Sequence, residues 1–222
     1  MNAALAIFTK TFGLSPVKTR LAATLGAPLA AEFHRLTAAA IEAVARAAGP
    51  RLELAVHWAV AERDALDAPC WSGFPRLWQG EGELGARLDR IYSTLQPRHG
   101  RVLMIGVDSP QITVNLLEEA LARLDDHATP FALGPAVDGG FWLIAGRIPV
   151  ATNRWQTVHY SSRRTAGELI AQLAPLGNVA RLPTLVDVDT SDDLILMCTA
   201  LASLPDPLPE QTALLRWVDR MS

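Results

Sequence analysis

The sequence predicts an α/β protein, a three-layer α/β/α sandwich around a mostly parallel central sheet. Three observations lead there. Short apolar runs and amphipathic helical stripes alternate from one end of the 222-residue chain to the other. Arg101-Val-Leu-Met-Ile-Gly-Val107 is nearly continuous in apolar residues, as a central parallel strand buried on both faces must be. Half of all residues are hydrophobic and 19% are charged, which is enough material for one sizeable core, and no internal repeat or low-complexity tract interrupts it.

Taken in order, Leu5 to Thr9 reads as a buried first strand, followed by a loop with Gly13, Ser15 and Pro16. Phe33, Leu36, Ala40 and Val44 recur at helical spacing, and Gly49-Pro50 is expected to stop that helix. Leu52 to Trp58 is the second strand. The stretch from Ala59 to Gly82, broken by Pro69, Gly73, Pro75 and Gly80, reads as a short helix plus loops. Leu84, Leu88, Ile91 and Leu95 mark a helix before the central strand, and Val114, Leu117, Leu121 and Leu124 one after it, with Thr113 as its cap. Phe131 to Leu133 and Phe141 to Ala145 are strands flanking Gly134-Pro-Ala-Val-Asp-Gly-Gly140. Thr165 to Leu173 is helical and Val179 to Leu182 extended. Thr190-Ser-Asp-Asp193 is a capping box opening a helix through Met197 and Leu201. Residues 1–204 are thus expected to form one domain. Residues 205–222, a proline-rich linker and an amphipathic helix with Leu214, Leu215 and Val218, are expected to pack on it.

A net charge of −3 gives no global attraction to nucleic acid or anionic lipid. No stretch approaches the roughly 20 apolar residues that span a bilayer. The N-terminal apolar run is too short for a secretory signal core, and Cys70 and Cys198 lie far apart, outside metal-ligand spacing. A cytoplasmic protein with neither nucleic acid nor membrane as partner is expected; oligomeric state is left open.

Lys10 and Lys18 are the only lysines in the chain, against eighteen arginines, and both fall just after the first strand. A glycine-containing loop entering a helix offers backbone N–H groups and a positive dipole end to an anion. Thr9, Lys10, Gly13, Ser15, Lys18, Thr19 and Arg20 are therefore candidate nucleotide-binding residues, with Lys10, Lys18 and Arg20 as mobile cations able to follow a phosphate chain. The spacing is not that of a Walker loop. Ligands of open α/β sheets bind beyond the carboxyl ends of the strands, and Asp108-Ser-Pro110 ends the central strand on that same edge. A carboxylate there needs a cation or solvent, so Asp108 is a candidate Mg²⁺ ligand. Taken without context, Asp138-Gly139-Gly140 reads first as a plain hairpin turn. Asp192 and Asp193 serve the helix start, whereas Asp187 and Asp189 stay free for other work. The five histidines are scattered.

Five ordered segments resemble the nucleotide-diphospho-sugar transferase superfamily with the glycosyltransferase-A fold. Within it they are most similar to an uncharacterised glycosyltransferase-like branch related to phospholactate guanylyltransferase and molybdenum-cofactor guanylyltransferase. The segments are Phe8-Thr-Lys-Thr-Phe-Gly-Leu-Ser-Pro-Val-Lys-Thr-Arg-Leu21, Gln79-Gly-Glu-Gly-Glu-Leu-Gly-Ala-Arg87, Gly106-Val-Asp-Ser-Pro110, Gly134-Pro-Ala-Val-Asp-Gly-Gly140 and Asp187-Val-Asp-Thr-Ser-Asp-Asp-Leu194. The chain departs from the branch pattern at Phe12 (proline in the pattern), Ser15 (glycine) and Phe141 (tyrosine). The resemblance implies that the first loop, with Gln79, Arg87 and Asp108, binds a nucleoside triphosphate or nucleotide-sugar. It implies that Asp108 and Asp189 hold Mg²⁺ or Mn²⁺, and that Asp138, Gly139 and Gly140 line the side of a small-molecule acceptor. Lys18, Arg20 and Asp138 would then be the catalytic residues of a glycosyl- or nucleotidyltransferase. The alternative is a nucleotide-binding or scaffold protein that kept the fold and lost the chemistry.

Overall fold

A computed structural model describes residues 3–221; Met1, Asn2 and Ser222, the outermost positions of the two expected segments, lie outside it. The chain builds one seven-stranded sheet covered by helices on both faces. In chain order the strands are β1 (Ala3–Thr9), β2 (Leu54–Val60), β3 (Arg76–Trp78), β4 (Arg101–Gly106), β5 (Phe131–Pro135), β6 (Phe141–Gly146) and β7 (Val179–Arg181). The helices are α1 (Thr19–Leu25), α2 (Ala27–Arg51), α3 (Leu84–His99), α4 (Val114–Arg123), α5 (Thr152–Gln156), α6 (Thr165–Leu173), α7 (Ser191–Ala202) and α8 (Pro209–Asp219). Sheet order is β3-β2-β1-β4-β6-β5-β7. Only β6 runs against its neighbours, pairing antiparallel with β4 and β5. The sandwich is therefore mostly parallel, and the β5–β6 turn projects from the same edge as the carboxyl ends of β1 and β4.

Both faces of β1 and β4 are buried, which is why these runs carry no polar alternation. Leu5, Ile7, Val56, Trp58, Leu103 and Ile105 face Ile41, Val44 and Ala45 of α2 and Leu117 and Leu121 of α4. On the opposite face Ala4, Ala6, Val102 and Met104 meet Leu88, Ile91 and Leu95 of α3 and Leu169 of α6. A third cluster joins the outer side of α2 to α1, α7 and α8 through Phe33, Leu21, Met197, Leu201, Leu214 and Trp217. Burial on two sides explains why α2 is so rich in alanine. Gln211 of α8 donates to the carbonyls of Pro110 and Ile112, tying the C-terminal helix to the loop behind Asp108.

Several local expectations need correction. Helix α2 runs through Gly49-Pro50 to Arg51, because a proline in the last turn forfeits one backbone bond and the chain leaves the helix at once, with Glu53 at φ 52. The second strand starts at Leu54 rather than Leu52 and extends to Val60. The irregular stretch after it contains two 3₁₀ turns and the edge strand β3, which is three residues long and shows no period. Helices α1 and α5, of seven and five residues, were likewise too short to announce themselves. Thr113 caps α4 by accepting from the Leu116 amide, and Thr190 and Asp193 form the capping box of α7. Among the described residues no helix is long and apolar enough to cross a membrane.

Candidate functional site

At the carboxyl end of β1 the chain enters a turn closed by the amides of Leu14 and Ser15, which both bond the Thr11 carbonyl at 3.2 and 3.0 Å. Gly13 supplies the left-handed backbone this turn requires, at φ 88. The glycine thus stands two residues before Ser15, and the Leu14 and Ser15 amides point inward rather than towards a ligand. Thr11 anchors the turn: its amide donates to Glu62 Oε2 at 2.9 Å, and its hydroxyl accepts from Trp71 Nε1 at 2.9 Å. Lys10 is exposed, while its carbonyl bonds His34 Nε2 at 2.9 Å. His34 is buried beneath the loop, and burial lowers its pKa below the ordinary histidine value.

Lys18 returns over the end of β4. Its side chain is 3% exposed, and Nζ lies 2.6 Å from Asp108 Oδ1 and 3.7 Å from Asp189 Oδ1. It also donates to the Val188 carbonyl. Burial alone would drive the ammonium towards neutrality, but Asp108, Asp187 and Asp189 outweigh it and raise its pKa above that of a free lysine. Lys18 is therefore sequestered as a counter-ion and is not the mobile cation expected. Thr19 is exposed at the start of α1, and Arg20, 68% exposed, reaches Asp189 Oδ2 at 3.4 Å.

The acids come from two segments. Asp108 follows β4, and its carbonyl accepts from the Val188 amide at 3.0 Å, stitching residues 187–189 alongside. Asp187 accepts from the buried Ser109 hydroxyl at 3.3 Å. Desolvation first, then the neighbouring Asp108 charge, push the Asp187 carboxyl up to about 7 despite the opposing pull of Lys18. The Asp189 carboxyl is also raised, mainly by burial. Asp187 was not singled out as a ligand from sequence. Its two-residue spacing from Asp189, which puts both on one side of an extended segment, was the available signal.

The β5–β6 turn lies next to this cluster. The Val137 amide bonds the Leu185 carbonyl at 3.0 Å, and Asp138 adds to the negative field at both Asp187 and Asp189. Asp138 Oδ1 accepts from the Gly140 amide at 2.8 Å, and Gly139 sits at φ 91 against the backbone of Arg163. The hairpin geometry is thus real, and it places a carboxylate at the shared edge.

Gln79 is buried, with its amide group donating to the carbonyls of Thr9 at 3.1 Å and Ala59 at 2.8 Å, so it staples β1 to β2. Arg87 bonds the Gly82 carbonyl at 2.8 Å and Gln79 Oε1 at 3.5 Å. The fold therefore brings Lys18, Arg20, Asp108, Asp187 and Asp189 together with Asp138 nearby, and sets Thr9, Gln79 and Arg87 on the β2 side. Among the described residues no group of three His, Cys, Asp or Glu side chains is drawn together tightly enough to grip a metal as arranged.

A family model described as an uncharacterised protein conserved in bacteria, DUF2064, matches residues 25–162. The chain belongs to this family. The part shared with DUF2064 includes Gln79, Arg87, Asp108 and the 138–140 turn; the lysine loop and Asp187 and Asp189 fall outside it. No curated protein matches the chain. Among solved structures, a candidate nucleotide-diphospho-sugar transferase from Desulfovibrio desulfuricans G20 is 25% identical, over 99% of this chain and 96% of that one, with a TM-score of 0.85. Rv0371c of Mycobacterium tuberculosis H37Rv, solved with manganese, is 17% identical over 92% and 100%, TM-score 0.55. The CMP:2-keto-3-deoxy-manno-octonic acid synthetase complexed with CTP is 14% identical over 92% and 100%, TM-score 0.54. The last two show the fold alone. The fold is that of the nucleotide-diphospho-sugar transferases.

Proposed function

We propose that this DUF2064 chain is a divalent-cation-dependent transferase with a nucleotide donor, either a nucleoside triphosphate or a nucleotide-sugar, and a small-molecule acceptor. One observation carries the reading: Asp108, Asp187 and Asp189 converge at the strand ends where a ligand of this fold class binds. The donors of this cluster are all oxygen, a set that suits a hard ion such as Mg²⁺ or Mn²⁺. Asp108 and Asp189 would hold the ion, with Asp187 beside them. When bound, such an ion neutralises phosphate charge and so eases departure of the leaving group. Likeness to the Desulfovibrio protein over nearly the whole chain supports the donor class.

The chain's own residues would do the rest. Lys10 and Arg20, both exposed, address the donor phosphates from the β1 side. Asp138, held by the Gly140 amide, positions the acceptor, with Gly139 and Gly140 allowing close approach. Catalysis of this kind is alignment plus charge stabilisation. A nucleotide-binding or scaffold protein without turnover is the second reading, favoured by the inward-turned Leu14 and Ser15 amides, which leave fewer backbone donors for a phosphate.

The test is a thermal-shift panel of nucleoside triphosphates and nucleotide-sugars with and without Mg²⁺ or Mn²⁺, followed by product analysis with the ligands that stabilise. Metal-dependent stabilisation by a triphosphate points to nucleotidyl transfer, and by a nucleotide-sugar to glycosyl transfer. Stabilisation without product leaves the nucleotide-binding protein, and no response to any ligand refutes both nucleotide readings and leaves the scaffold.

A further inference from the structure

The two roles that the sequence suggests at this edge, a cation for phosphates at Lys18 and a metal at Asp108 and Asp189, collide on the same atoms. Lys18 Nζ contacts Asp108 Oδ1 at 2.6 Å and stands 3.7 Å from Asp189 Oδ1. It also donates to the intervening Val188 carbonyl, and the Phe33 ring lies 6.0 Å behind it. At 3% exposure the side chain fills the space between the acids. A divalent ion and an ammonium cannot both contact one carboxylate oxygen without strong like-charge repulsion. Lys18 reaches this position from a backbone at φ 46, ψ 44, a region a non-glycine residue occupies at a cost, and at a helix start without a side-chain cap. The ion contacts offset that cost, and Phe12, Gly13 and Leu14 of the preceding loop are exposed.

We propose that Lys18 is a built-in competitor for the metal position. Its ammonium neutralises Asp108 and Asp189 in the metal-free protein, and a divalent cation entering the cluster displaces it towards solvent and the donor phosphates. The same lysine then serves as the carboxylates' counter-ion in one state and as a phosphate ligand in the other. Metal entry and completion of the phosphate site become one event. This rests on the reading of Asp108 and Asp189 as metal ligands.

The chain supplies its own probe, because Lys10 and Lys18 are its only lysines and Lys10 is exposed. Full-length protein is pulse-acetylated with an amine-reactive reagent and mapped by mass spectrometry, with and without saturating Mn²⁺. In the metal-free protein Lys18 is protected while Lys10 reacts; with Mn²⁺ Lys18 reacts at a rate close to that of Lys10. By calorimetric titration, Lys18→Met binds Mn²⁺ at least about tenfold more tightly than the natural chain, and Asp108→Asn abolishes binding. If Mn²⁺ binds the natural chain and leaves Lys18 protected, or binds Lys18→Met no more tightly, the competition is refuted while the metal reading stands. If no Mn²⁺ binds either protein, the metal reading falls and the competition with it. The footprint of the natural chain decides the matter even where Lys18→Met fails to fold.

Discussion

Gly139 and Gly13 both lie in the left-handed region, at φ 91 and φ 88, yet their surroundings differ completely. A Cβ on Gly13 meets nothing within 4 Å, whereas on Gly139 it would lie 2.2 Å from the Arg163 carbonyl oxygen and 2.5 Å from its Cα. Alanine at either site carries the left-handed backbone cost of about 1–2 kcal/mol. At Gly139 it must also push backbone aside by about 1.2 Å to restore 3.4 Å separation. That movement strains the Ala166 amide bond to the Gly139 carbonyl and the Ala136 amide bond to the Gly140 carbonyl, both 3.0 Å. Each such bond contributes about 0.5–1.5 kcal/mol net. Gly139→Ala should therefore cost about 2–5 kcal/mol and Gly13→Ala about 1–2 kcal/mol, measured as shifts in urea midpoint at constant slope. Equal losses would show that conformational strain alone operates and that the contact of the 138–140 turn with Arg163 is not tight.

Other perturbations separate structural from binding roles. Lys10→Ala should leave the urea midpoint unchanged and lower kcat/KM with the active donor on the order of 10²-fold; a change in stability instead would make Lys10 structural. Gln79→Leu removes the donors to the Thr9 and Ala59 carbonyls and should cost about 2–3 kcal/mol, seen in the urea midpoint; no loss would show that other donors satisfy these carbonyls. His34 is held neutral, with its folded pKa below the unfolded value, so its stability contribution is complete above about pH 6.5 and is lost as pH falls through the folded pKa. The urea-derived stability should decline on acidification below that point, by at most about 1.4 kcal/mol per pH unit from this group, and His34→Gln should flatten the decline. An unchanged slope would mean that His34 does not titrate with unfolding.

Much of the architecture is legible because its causes are local. The run from Arg101 to Val107 is apolar because both of its faces are covered, and Thr113 and the Thr190–Asp193 pair mark helix starts by chemistry that needs only four consecutive residues. Strand β3 is not legible: its three residues are placed by pairing with β2, not by any pattern of their own. The site divides in the same way. Asp108 and the lysine loop are visible as strand-end residues, but the 2.6 Å contact between Lys18 and Asp108 spans 90 positions and depends on β1 lying beside β4. Gln79 read as a ligand residue because a motif records that a side chain matters, without recording whether it faces a ligand or a neighbouring strand.

Under the proposed competition, the two lysines would tie metal binding to nucleotide binding. Lys10 remains free to meet an anion, whereas Lys18 is neutralised by acids that would themselves repel a polyphosphate. With Asp108, Asp187 and Asp189 lining the same edge, a triphosphate approaching the metal-free protein meets more carboxylates than uncommitted cations. A divalent ion bound as proposed would change both sides of this balance, covering the acids and freeing Lys18. Triphosphate affinity should therefore depend steeply on Mg²⁺ or Mn²⁺, and in their absence Lys18→Met should not weaken it, because Lys18 is then engaged with the acids. Metal-independent triphosphate binding that Lys18→Met weakens would show the ammonium free from the start, and the carboxylate contacts would lose their claim on it.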